Sequence, residues 1–206
     1  MAETGGLFVI DAETGDISQF TSVTQEGSNT FTADVAAKNN GTYGFKLLYD
    51  GTNEGNFGLK SVAPQSDIYL RFYIYIVADS RANGEFNGFI HFKDSGEWAL
   101  DFRFYRVTGG VGYRLWVNNG GAGIINRSGN LVISDATWTR FEIRYLQDAV
   151  NGGCQVWING VSDASSFITN TSAYDVTEIG IGTLYGQAPD LNDTIYLDDI
   201  KADTSY

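Results

Sequence analysis

The chain is poor in the residues that most often carry catalysis or covalent staples. Its 206 residues include one cysteine, one histidine, one methionine and two prolines. A lone cysteine excludes an internal disulfide framework. Cys154 sits in the alternating run Gly153-Cys154-Gln155-Val156-Trp157-Ile158 and reads as a small buried apolar residue rather than a nucleophile. One His and one Cys are too few for a zinc cluster, and the single His91 suggests no Ser-His-Asp order. No two Glu stand at period-two spacing on one strand, as a retaining glycanase of a sandwich fold would need.

Basic residues are scarce as well. Thirteen Lys and Arg face 25 Asp and Glu, a net charge of −12 with a pI near 4.3. That balance excludes nucleic acid and anionic membranes as partners, because neither would find a basic footprint. It also weighs against a strongly anionic polysaccharide, unless local Arg placement overrides the global field. No apolar run is long enough to span a bilayer, and the first residues lack the basic and apolar regions of a secretory signal.

What is present is strand signal. Apolar residues make up 43% of the chain and aromatics 14%, enough for a well-packed core. Ile68, Leu70, Phe72, Ile74 and Ile76 alternate with Tyr69, Arg71, Tyr73 and Tyr75, so one face is apolar and the other is Tyr and Arg. Trp98, Leu100, Phe102 and Phe104 repeat the pattern, with Asp101, Arg103 and Tyr105 on the opposite face. Turn chemistry separates such runs, as at Asn39-Asn40-Gly41, Asp94-Ser95-Gly96, Asn151-Gly152-Gly153 and Asn159-Gly160. With no long helical period and no linker, the pattern predicts one all-β domain over residues 1–206, a two-sheet antiparallel jelly-roll β-sandwich.

With the strands placed, several segments resemble domains of the concanavalin A/laminin-G-like jelly-roll class, which includes carbohydrate-binding modules and phage surface proteins. Asp11-Ala12-Glu13-Thr14-Gly15-Asp16 is similar to their opening motif, Asn40-Gly41-Thr42-Tyr43-Gly44-Phe45-Lys46-Leu47 to an early strand, and Tyr69-Leu70-Arg71-Phe72-Tyr73 to a middle one. Trp138-Thr139-Arg140-Phe141-Glu142-Ile143-Arg144-Tyr145, Val156-Trp157-Ile158-Asn159-Gly160 and the closing Ile195-Tyr196-Leu197-Asp198-Asp199-Ile200 follow in the same order. The chain departs from the pattern at Ala12 and Phe20, where Phe and Trp are commoner.

The resemblance implies that the first and last strands lie side by side. It also implies a structural calcium between them, with Glu13 and Asp199 as side-chain ligands and a carbonyl near Asn40. The alternative is that Glu13 accepts backbone donors in a turn while Asp198 and Asp199 cap an edge strand. A second expectation concerns recognition. Tyr69, Arg71, Tyr73, Tyr75, Arg103, Tyr105, Arg114 and Trp116 can present aromatic rings and planar donors outward, the equipment of a sugar-binding face. The same residues also suit cross-strand pairing or an oligomer interface. His91 with Tyr105 and Arg103 imitates the His, Tyr and Arg of jelly-roll polysaccharide lyases, but the Arg-rich and Gln-x-His strand signatures of alginate lyases are absent.

The resulting expectation is a non-catalytic surface module, not an enzyme. It favours a phage virion decoration or adhesion protein, at the virion surface or outside a cell. Its partners would be other virion proteins or glycans, and copies of itself in a trimer. A secreted carbohydrate-binding module is the alternative, and a lyase or glycanase ranks last.

Overall fold

The computed structural model describes residues 6–51, 55–78, 83–84, 86–119, 124–128, 132–163, 167–186 and 193–205. Sixteen strands form among them. In chain order they are β1 (Gly6–Ile10), β2 (Ser22–Gln25), β3 (Thr30–Asp34), β4 (Gly44–Leu48), β5 (Asn56–Gln65), β6 (Asp67–Ala78), β7 (Phe86–Asp94) and β8 (Glu97–Val107). Then come β9 (Gly110–Asn118), β10 (Ile124–Ser128), β11 (Thr139–Leu146), β12 (Gly152–Ile158), β13 (Val161–Ser162), β14 (Phe167–Thr169), β15 (Val176–Gly186) and β16 (Thr194–Asp203). A single 3-10 turn, Val35–Ala37, follows β3; Asp34 caps it by accepting from the Ala36 N–H.

Two antiparallel sheets result. One has nine strands, in the order β13-β12-β11-β6-β16-β4-β3, with β1 added to β16 and β14 to β12. The other has seven, in the order β10-β9-β8-β7-β15-β5-β2. Consecutive strands such as β7 to β10 pair as hairpins, while pairs such as β6–β11, β6–β16, β4–β16, β7–β15 and β5–β15 join distant parts of the chain, as a jelly roll requires. The expected all-β sandwich is the fold observed.

The core lies where the alternation puts it. Ile68, Leu70, Phe72, Ile74 and Ile76 are all buried on β6, and Leu100, Phe102 and Phe104 are buried on β8. Rings join the two sheets. Phe141 of β11 stacks on Phe72 at 5.6 Å between centroids and meets Phe102, Phe104 and Tyr113 edge-on at 5.5, 5.4 and 6.0 Å. Offset and edge-on pairs of this kind add to the burial of their ring area.

The two ends of the chain pair as expected. β1 lies antiparallel to β16, with Phe8 opposite Ala202 and Ile10 opposite Ile200. At Phe20, one of the departures from the familiar pattern, the ring packs edge-on against Phe31 and Phe45 at 5.2 and 5.3 Å. A Cβ at Gly58 would stand 2.5 Å from that ring, so a glycine there makes room for it.

Candidate functional site

The outward face of the seven-stranded sheet, away from the core, carries a cluster of buried polar side chains, His91, Asp101 and Arg103. Strand alternation builds it. Because Phe102 and Phe104 point inward, Asp101, Arg103 and Tyr105 point outward, and Arg114 and Trp116 do the same on β9. Register then aligns them in rows. Trp116, Asp101, His91 and Gly180 lie side by side across β9, β8, β7 and β15. Arg114, Arg103 and Gly88 form the next row, and Gly112, Tyr105 and Phe86 the one after.

Two irregularities shape the face. Register shifts between Gly88 and Ile90 and between Phe92 and Lys93 break the strict alternation of β7 against β8. The second pairs Lys93 with Trp98, and Trp98 consequently sits beside His91, their ring centroids 4.6 Å apart. Trp98 was expected inward with Leu100. An extra residue in a bulge moves a side chain to the other face, and a two-residue period carries no signal of it.

The side chains are mutually engaged. His91 Nδ1 lies 3.2 Å from Asp101 Oδ1, while Arg103 Nε donates to Asp101 Oδ2. All three are buried. The Arg103 guanidinium is sandwiched, 3.5 Å from the Trp116 ring centroid and 4.8 Å from that of Phe86. Burial pushes the pKa of His91 below 6.5; contact with Asp101 and the Gly88 backbone opposes this without reversing it. The imidazole is therefore neutral and firmly held. At the edge of the group, Lys93 reaches Glu178 at 3.7 Å and lies 5.1 Å from the Trp98 ring centroid.

Arg114 and Tyr105 are different. The guanidinium lies 4.5 Å from the Tyr105 ring centroid, and the phenol ring covers Gly112, where a Cβ would stand 2.8 Å from it. No carboxylate pairs with Arg114 among the described residues, and its Nε is buried without an acceptor. Trp116 Nε1, two residues along the same strand face, is also buried without an acceptor. Buried donors normally find partners; here two on adjacent rows have none, although both side chains are partly exposed elsewhere.

The eight residues expected to form one recognition face divide between two. Arg103, Tyr105, Arg114 and Trp116 share this one. Tyr69, Arg71, Tyr73 and Tyr75 lie on β6, on the outward face of the nine-stranded sheet. Both sets point away from the core as alternation requires, but the core separates them. Sequence reading missed Trp98 and Phe86 as parts of the site. A tryptophan two residues after Ser95-Gly96 is the only local hint for Trp98.

The residues expected to hold calcium stand at the junction of the chain ends. Glu13 Oε1 accepts from the N–H groups of Thr42 and Tyr43 at 2.8 and 3.0 Å, which holds its pKa below the usual carboxylate value. Asp198, the neighbour of Asp199, reaches the same turn. Its Oδ2 accepts from the N–H groups of Asn39 and Asn40 at 2.7 and 2.9 Å, and its Oδ1 from that of Asp199 at 2.8 Å. Asn40 thus enters as a backbone donor. In this arrangement the carboxylate oxygens nearest the turn face N–H groups, whereas a calcium shell is built of oxygens. No group of three or more His, Cys, Asp or Glu side chains suited to a metal occurs among the described residues.

No family model and no curated protein matches the chain. Solved structures do. An endo-β-1,4-glucuronan lyase from the fungus Trichoderma reesei aligns with a TM-score of 0.73 at 13% identity, over 97% of this chain and 96% of its own. The fold is a concanavalin A-like jelly roll. A carbohydrate esterase of the Shiga toxin-encoding bacteriophage phi24B aligns with a TM-score of 0.69 at 11% identity, over 98% and 99% of the two chains. The alginate lyase Aly36B aligns with a TM-score of 0.63 at 14% identity, over 98% and 93%. These likenesses correct the expectation of a non-catalytic module in a virion decoration role. Several proteins that share this jelly roll over nearly their whole length are carbohydrate-active enzymes, the two lyases and the esterase among them. No helix among the described residues is long and apolar enough to cross a membrane.

Proposed function

We propose that this chain is a polysaccharide lyase that cleaves a uronate-containing glycan by β-elimination on the outward face of the seven-stranded sheet. One observation carries the reading: Arg114, in a chain of net charge −12, is left without a carboxylate among the described residues and stacks on the phenol of Tyr105. The glucuronan and alginate lyases that share the fold support it. Overall acidity disfavours an anionic polymer, and the unmatched guanidinium of Arg114 opposes that field where the sugar would lie, whereas the charge of Arg103 is already met by Asp101.

The chemistry divides among the rows. The guanidinium of Arg114 binds the uronate carboxylate and stabilises the charge that builds up as the C5 proton leaves. Tyr105, acting from its phenolate form, takes that proton and, as the phenol, delivers it to the glycosidic oxygen at C4, which regenerates the phenolate. The C5–H and C4–O bonds break, a C4–C5 double bond forms, the leaving oxygen gains the proton, and no water is consumed. Trp116, partly exposed, offers its ring to the neighbouring sugar. His91, some four residues along the face from Tyr105 and about 13 Å away by strand rise, is a positioning residue. It fixes Asp101, which in turn orients Arg103 under Trp116.

The test is incubation with polyglucuronate, alginate and polygalacturonate, followed by near-ultraviolet absorbance of unsaturated chain ends. Wild type is expected to release them from at least one polymer, and Tyr105→Phe to lose the release while keeping its fold. Absence of unsaturated ends from all three, or a Tyr105→Phe variant as active as wild type, overturns the reading.

A further inference from the structure

We infer that the outward face of the nine-stranded sheet is a second, non-catalytic binding site for the same uronate polymer, on the far side of the sandwich from Arg114. The polymer class rests on the proposed lyase reading; the site itself rests on the face. Tyr75 of β6 stacks on Tyr196 of β16, with ring centroids 5.7 Å apart and planes 18° from parallel. Trp138, just before β11, closes on Tyr75 at 5.5 Å. Three partly exposed rings from three parts of the chain thus make one continuous aromatic surface, broad enough for the apolar face of a pyranose.

The charge on this face is specific. Around Arg71 the other ions are already paired: Arg140 with Glu142 at 3.2 Å, Arg144 with Asp67 at 2.6 Å, and Lys201 with Asp203 at 3.8 Å. Glu142 is opposite Arg71 in register, yet Arg140 engages it; Lys201 is opposite on the other side. Arg71 forms no ion pair among the described residues, and its Nε is buried without an acceptor. The face therefore keeps one uncommitted guanidinium beside a row of rings. Four residues of β6 separate Arg71 from Tyr75, about 13 Å along the strand, a span that a few linked sugars cover. A carboxylate on Arg71 and a ring on Tyr75 and Tyr196 satisfy both features at once, which a neutral glycan would not. Holding the polymer here would keep it near the cleaving face between turnovers and raise its effective concentration there.

The experiment uses the whole chain. Affinity electrophoresis in gels containing polyglucuronate, alginate or a neutral glucan is run for wild type, Arg71→Gln, Tyr75→Ala and Tyr196→Ala, with thermal melts to confirm folding. Each folded variant is expected to lose about five- to tenfold in affinity for the uronate polymer, with turnover of short oligosaccharides unchanged. Tyr105→Phe should retain wild-type retardation. Wild-type affinity in Arg71→Gln and in both tyrosine variants overturns the site. Equal retardation by the neutral glucan, insensitive to Arg71→Gln, overturns it too. Retardation that depends on Arg71 and Tyr75, with no unsaturated ends from any polymer, refutes the lyase reading and leaves this site standing.

Discussion

Replacing Phe141 with alanine tests the account of how the two sheets are held together. The ring is fully buried and touches four others, one on its own sheet's β6 and three on β8 and β9 of the opposite sheet. Truncation of a buried Phe costs about 3–5 kcal/mol from lost transfer energy and the cavity left behind. The upper half of that range applies here, because paired β-strands on both sides cannot collapse into the space. For a chain of this size each kcal/mol lowers Tm by about 2–4 °C, so a loss of about 4 kcal/mol corresponds to roughly 8–16 °C. Urea unfolding followed by Trp fluorescence should show a lower midpoint with an unchanged slope. Since Phe102 and Phe104 alternate with Asp101, Arg103 and Tyr105 on β8, the same change should loosen the outward face. A loss below about 1.5 kcal/mol, far under the range for buried rings, would refute the view that Phe141 is the main inter-sheet contact.

Other outcomes follow from single contacts. His91 is buried neutral, with its pKa below 6.5, so below that pH the unfolded chain binds a proton that the folded chain refuses. Stability should fall as pH drops through 6.5 toward the folded pKa, with a limiting slope of about 1.4 kcal/mol per pH unit for one proton. His91→Asn should remove that limb, and an unchanged pH profile would count against it. Gly44→Ala should cost about 1–3 kcal/mol in denaturant melts, because a Cβ there collides with the Ala37 carbonyl and the turn must shift. EDTA should leave Tm unchanged, since five backbone N–H groups already face the Glu13 and Asp198 carboxylates; a clear drop would place an ion there. Glu13→Ala should lower Tm more than Glu13→Gln, whose amide oxygen still accepts from Thr42 and Tyr43.

Strand-borne features of the site were legible from the residues. Asp101, Arg103 and Tyr105 must oppose Phe102 and Phe104 on any pleated strand, and they do. What defeated the reading was anything that depends on where strands sit in the sheets. β6 and β8 both offer a Tyr and Arg face, and only pairing shows that one belongs to each sheet. The partners of His91 were not legible, because Asp101 and Trp98 come from another strand and one of them arrives through a bulge. The resemblance pairs Glu13 with Asp199 at the junction of the first and last strands, but backbone geometry decides which carboxylate of the Asp198-Asp199 pair reaches the turn. Asp199 takes a left-handed conformation, φ 48°, and Asp198 turns to the Asn39-Asn40 N–H groups.

Local alternation, turn residues and the scarcity of cysteine, histidine and basic charge were enough by themselves to determine an all-β sandwich without disulfides or a zinc cluster. Those properties follow from each residue and its near neighbours. Tertiary structure alone decided that Arg114 stands over Tyr105 without a carboxylate, that Arg103 lies between Phe86 and Trp116, and that Arg71 is left unpaired on the opposite side. The reason is physical: whether a charge is matched or left available depends on register between strands far apart in the chain, which no local pattern encodes.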